Sequence, residues 1–148
     1  MRIAVVNGPN LNFLGIREPD VYGHETYDDL IYMLRDYAMG KKIQLDFFQS
    51  NSEGALIDYL QQCYHKHFEG IVINPGAYTH YSYAIRDCIA SLNIPTVEVH
   101  LSNIHEREGF RSVSVVEDVC VKQLCGKGFR GYIEAIDYLC SKKRGCND

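Results

Sequence analysis

No stretch of this 148-residue chain approaches the roughly 20 consecutive apolar residues that a membrane-spanning helix needs. None of the six cysteines (Cys63, Cys88, Cys120, Cys125, Cys140, Cys146) forms a C-x-x-C pair, and no Cys/His spacing is of the kind that holds zinc, so they read as reduced thiols. Basic residues are not in excess. Fifteen Lys and Arg stand against 19 Asp and Glu, a formal charge of −4, and there is no basic stripe, which argues against a nucleic-acid partner. The only basic clusters, 41–42 and 142–144, read as solvated helix ends. There is no Gly-rich phosphate loop, no metal-ligand cluster and no lysine on an expected strand, so Schiff-base chemistry lacks a candidate. Repeats, linkers and low-complexity tracts are also missing, and the length suits one domain spanning 1–148. Residues 1–10 read as a strand running into polar turn residues rather than as a secretion signal, so the expected location is the cytoplasm.

What is present alternates strand and helix. Short apolar runs predict strands at 2–7, 43–49, 70–74, 96–100 and 112–116. Helical spacing predicts helices at about 26–40, 52–67, 80–92 and 130–141. Tyr27, Leu30, Leu34 and Tyr37 form the stripe of the first helix, with Gly40 as its cap. Ser52 opens the second, whose apolar positions are read as Ala55, Ile57, Leu60 and Tyr64. Cys63, Cys88 and Cys140 fall on apolar helix sides, whereas Cys146 is expected to be exposed. Asn93-Ile94-Pro95 ends the third helix. Such alternation predicts an α/β fold, a doubly wound five-stranded parallel sheet of flavodoxin-like order 2-1-3-4-5 with helices on both faces. Chemistry then belongs in the crevice at the carboxyl ends of strands 1 and 3.

The residues delivered there are polar and specific. After the first strand, NGPNLNFLGIREPDVYG (7–23) supplies Asn10, Asn12, Arg17 and Tyr22. A guanidinium near a phenol favours the phenolate and makes it a usable base. After the third strand come Asn74-Pro75-Gly76 and then His80, with Asp87 seven residues on, placed on the same face if the helix runs from His80. The fourth strand ends in Glu98, Val99 and His100, followed by Leu101 and Ser102. With a period of two, Glu98 and His100 share a face, where the carboxylate can hold the imidazole and favour its charged form. Arg107 and Arg111 follow in the next loop. His24, His65, His67 and His105 read as surface residues, and Tyr78, Tyr81 and Tyr83 receive no catalytic role.

Four blocks, NGPNLNFLGIREPDVYG (7–23), QSNSEGALID (49–58), INPGAYTHYSYAIRD (73–87) and VEVHLSNIHEREGFR (97–111), resemble the motifs of the type II 3-dehydroquinate dehydratases, in order and with the usual spacings. The resemblance covers about residues 2–115. It departs over 117–130, where the sequence VEDVCVKQLCGKGF (116–129) is more charged than the apolar, small-residue run expected. It implies a hydro-lyase that works on a small molecule with no cofactor, no metal and no membrane or nucleic-acid partner, assembled as a dodecamer of trimers. By the same resemblance Tyr22 is the base, Arg17 its activator, His100 the general acid and Glu98 the partner of that acid. Asn12, Asn74, His80, Asp87, Leu101, Ser102 and Arg111 match substrate-contacting positions, with Asn12 assisting catalysis at the ketone oxygen.

The implied reaction is trans loss of water from 3-dehydroquinate through an enolate. Bringing a phenol from about 10 to near 7 costs roughly 4 kcal/mol. One guanidinium within ~4–6 Å is marginal for that, and Arg107 is the candidate for a second cation. The same dehydration suits aromatic amino acid biosynthesis in the shikimate pathway and quinate catabolism alike. Non-enzymatic readings of the fold fare worse. A flavin carrier needs a Ser/Thr/Gly phosphate loop where Gly8-Pro9-Asn10-Leu11 stands, and a phosphoryl receiver needs acidic residues where Asn7 and Asn74 stand. An inactive family member acting as a scaffold or small-ligand binding module is the remaining alternative.

Overall fold

The computed structural model describes residues 1–16 and 19–147, apart from the side chains of Val21, Tyr22 and residues 144–147. Five parallel strands, β1 (Arg2–Asn7), β2 (Gln44–Gln49), β3 (Gly70–Asn74), β4 (Thr96–His100) and β5 (Lys122–Cys125), form one sheet in the order β2-β1-β3-β4-β5. The helices are α1 (Pro19–Tyr22), α2 (Tyr27–Ala38), α3 (Glu53–His65), α4 (Tyr83–Leu92) and α5 (Arg130–Asn147). Among the described residues no helix is long and apolar enough to cross a membrane.

Strand alternation divides the core in two. Ala4, Val6, Ile71 and Ile73 point to the side of α3 and α4, against Leu56, Leu60, Cys63, Ile85 and Ile89. Ile3, Val5, Val72, Val97 and Val99 point to the side of α2 and α5, against Leu30, Leu34, Tyr132, Ile136 and Leu139. Because both faces are covered, β3 and β4 are buried along their whole length and β1 from Ile3 onward, as parallel strands are. The buried line of α3 is Leu56, Leu60 and Cys63 rather than the expected Ala55, Ile57, Leu60 and Tyr64; Tyr64 is exposed. Thr26 caps α2 in a reciprocal box with Asp29. Asn93, in the left-handed conformation, ends α4.

Two sequence expectations are corrected. The segment 112–116 is not the fifth strand, although Ser-Val-Ser-Val alternates like one. Its backbone is engaged elsewhere: Val115 N–H donates to the Thr79 carbonyl at 2.7 Å and Arg86 donates to the Val115 carbonyl at 2.7 Å. The edge of β4 is paired instead by Lys122–Cys125, inside the stretch where the resemblance faded. A strand-borne lysine therefore does exist, but Lys122 is exposed at the amino end of β5, against the Tyr138 ring. Secondly, α4 starts at Tyr83 with Ser82 as its cap, not at His80. His80 ends a 3-10 turn, Gly76–His80, so the shared helical face proposed for His80 and Asp87 does not exist.

Two glycines shape the carboxyl edge. A Cβ on Gly8 would stand 2.4 Å from the Pro75 carbonyl oxygen, so only glycine lets the end of β1 lie against that turn. Gly76 has φ +61°, and its missing Cβ leaves room for Pro9.

Candidate active site

A cavity opens at the carboxyl ends of β1, β3 and β4, at the crossover point the strand order creates. It holds about 80 Å³, a scale that suits a small molecule. Leu11, Leu14 and Ile104 give it an apolar wall, and Asn74, His80, His100, Ser102, Arg107 and Arg111 its polar one.

His100 ends β4 and is almost fully buried. Its Nε2 meets Glu98 Oε2 at 2.5 Å, across the same-face spacing that a strand provides. Glu98 is wholly buried, and its carboxylate is surrounded by donors. Thr79 Oγ1 donates at 2.5 Å, Ser114 Oγ at 2.9 Å and Gln123 Nε2 at 3.1 Å. Burial raises the Glu98 pKa, but the bonds from His100, Thr79 and Ser114 and the charge of His100 outweigh it, so the net direction is down. A carboxylate so held accepts only, which makes His100 Nε2 a donor and leaves Nδ1 as the other ring nitrogen. Thr79, Ser114 and Gln123 were not read as site residues from sequence. Gln123 is the β5 register partner of Glu98, so a strand correctly placed at 122–125 would have revealed it. Ser114 was hidden by the strand expected over it.

His80 behaves differently. Its Nδ1 lies 2.7 Å from the Val113 carbonyl oxygen, which can only accept, so the proton sits on Nδ1 and Nε2 is an acceptor. Burial lowers its pKa, the Val113 contact opposes this, and the positive charges of His100, Arg111 and Arg107 lower it further. The ring packs edge-on against Phe110. Arg107 donates to Ser102 Oγ at 2.8 Å, and Arg111 lies over the Phe110 ring. Two guanidiniums on one wall suit a carboxylate.

Of the residues singled out from sequence, Asn74, His80, His100, Leu101, Ser102, Arg107 and Arg111 come together around the cavity, with Glu98 behind His100. Asn12 is exposed and does not line it; Asn12 Oδ1 accepts from Gln49 Nε2 at 3.4 Å, and its neighbour Leu11 forms the wall. Asp87 is exposed on α4 and also lies outside the lining. Arg17 and the side chain of Tyr22 lie outside the described residues, as does that of Cys146. No group of three or more His, Cys, Asp or Glu among the described residues is placed to hold a metal ion.

Residues 1–140 match the family model described as dehydroquinase class II. A 3-dehydroquinate dehydratase of Lachnoclostridium phytofermentans is 53% identical over 145 residues, covering 98% of this chain and 100% of the relative. One from Clostridium acetobutylicum is 55% identical over 139 residues, covering 94% and 96%. The crystal structure of type II dehydroquinase from Butyrivibrio crossotus superposes with a TM-score of 0.92 at 57% identity, covering 94% of this chain and 97% of that one. With the sheet order and a family match over residues 1–140 in agreement, the chain belongs to the class II dehydroquinases.

Proposed function

We propose that the chain is a hydro-lyase that removes water from 3-dehydroquinate by trans elimination through an enolate, as one catalytic domain. Tyr22, activated by Arg17, takes the proton beside the ketone. Asn12, next in the chain to the cavity-lining Leu11, donates directly or through water to the oxygen where charge develops. His100 protonates the departing hydroxyl, and Glu98 aligns and electrostatically supports it. Arg111 and the backbone at Leu101 and Ser102 bind the substrate carboxylate, while Asn74 and His80 hold ring hydroxyls. Arg107 is assigned to the same cationic wall, where it can also favour the phenolate. The enzyme works in the cytoplasm as a homo-oligomer, a dodecamer of trimers.

The observation that carries this reading is the buried Glu98–His100 pair at the wall of a small cavity that also holds two guanidiniums. It supplies a held proton donor and a carboxylate receptor within one molecule's reach. The test is an ultraviolet assay with 3-dehydroquinate, following the conjugated enone product. Enone should accumulate, and borohydride added during turnover should not inactivate the enzyme, because no imine forms. No enone, or inactivation by borohydride, overturns the proposal.

A further inference from the structure

Behind Asn74 runs a buried polar file that the elimination itself does not use. Asn74 Oδ1 accepts the Gly76 backbone N–H at 3.1 Å. Asn74 Nδ2 donates to the Tyr132 hydroxyl at 3.1 Å, and that hydroxyl donates to Asn7 Oδ1 at 2.6 Å. All three side chains are buried. Asn7 and Asn74 are register partners at the ends of β1 and β3, and Tyr132 reaches them from the first turn of α5.

These contacts fix which way the Asn74 amide faces. The phenol has one proton, and it goes to Asn7, so toward Asn74 the phenol oxygen can only accept. Turned over, the amide would set its NH2 against the Gly76 N–H and its oxygen against a phenol with no proton left to give. Asn7 Nδ2 has no hydrogen-bond partner among the described residues. Burial raises the pKa of the neighbouring Tyr27, and an interaction with the Asn7 side chain opposes this.

We infer that Tyr132 is a positioning residue of the active site: it locks Asn74 so that the cavity meets the carbonyl oxygen, an acceptor that selects a ring hydroxyl. His80 Nε2, also an acceptor, joins it in reading hydroxyls, beside the guanidiniums that read the carboxylate. The inference rests on the dehydratase reading and adds to it the part that discriminates among ring hydroxyls.

The experiment is a double-mutant cycle with 3-dehydroquinate, reading KM and kcat separately alongside the thermal midpoint. Tyr132→Phe should raise KM about tenfold, with kcat within about threefold of wild type. In an Asn74→Ala background the same change should alter KM by less than about twofold, because the group it positions is gone. Should Tyr132→Phe not fold, Asn7→Ala, which takes away the hydroxyl's acceptor, is read in the same two backgrounds. An equal KM effect in both backgrounds, or none in the wild-type background, overturns the inference while leaving the dehydratase reading standing. A wild-type chain that does not turn over 3-dehydroquinate overturns both.

Discussion

Replacing Glu98 with Gln preserves shape and removes charge at the most enclosed ionisable group of the site. An amide has one acceptor oxygen, and two strong donors, Thr79 and His100, each stand 2.5 Å from Oε2. The oxygen must therefore stay there, and the new NH2 points at Gln123 Nε2, which lies 3.1 Å from Oε1. Donor then meets donor. Gln123 can relieve this only by turning its amide, which obliges His105 to move its ring proton to the other nitrogen to keep their 2.7 Å contact. Ser114, a hydroxyl, can switch to accepting. An unpaired buried donor costs roughly 1–3 kcal/mol, and two charge-assisted bonds weaken by about 1 kcal/mol each, for a total of roughly 3–5 kcal/mol. At roughly 2–4 °C per kcal/mol for a chain of this size, Tm should fall by about 10 °C at neutral pH. The sign with pH follows from the lowered Glu98 pKa. Its contribution is complete above the ordinary value of 4.5 and is lost as pH falls through the lower native value. Calorimetry across pH should thus show a gap between wild type and variant that is widest at neutral pH and closes on acidification below 4.5. A variant melting within about 2 °C of wild type at neutral pH, or a gap that stays constant into acid, refutes the reasoning.

Three further outcomes are expected. Tyr22→Phe should lower kcat by at least about 10²-fold while binding of a substrate analogue, measured by calorimetry, changes little; near wild-type turnover would reject Tyr22 as the base. Arg17→Ala should move the basic-group limb of the pH–rate profile to higher pH, since a phenol without its cation ionises later; an unmoved limb removes Arg17 from that role. Gly8→Ala should cost roughly 3 kcal/mol in urea unfolding and raise KM, because its Cβ would press on the Pro75 carbonyl from 2.4 Å and part the ends of β1 and β3. Wild-type stability there would mean that the turn yields freely.

The first four strands and the Glu98–His100 pair were legible in the sequence because each rests on local period and spacing, and the sheet order followed from right-handed crossovers. Ile3 to Val6 and Ile71 to Ile73 are continuous apolar runs, and a strand's alternation alone puts Glu98 beside His100. The fifth strand was not legible. Lys122-Gln123-Leu124-Cys125 is short, half-exposed and charged, while Ser112–Val116 alternates convincingly and yet binds Thr79 and Arg86. Such a choice is decided by tertiary partners, not by pattern. The surroundings of Glu98 were lost with it, since Ser114 and Gln123 lie on those two segments. Tyr132 and Asn7 were unreadable for another reason: they meet across 125 residues of chain, and nothing local marks a tyrosine that faces the core with a bonded hydroxyl.

The Val113 carbonyl that occupies the Nδ1 proton of His80 makes two neighbouring imidazoles unequal. One ring is anchored by a carbonyl and can only receive at its open nitrogen, and the other is anchored by a carboxylate and can surrender a proton. Under the proposed mechanism, a polyol between them would be polarised before any bond breaks, one hydroxyl pulled as a donor and another readied to depart. Direction in this pocket is written into which oxygen holds each histidine from behind.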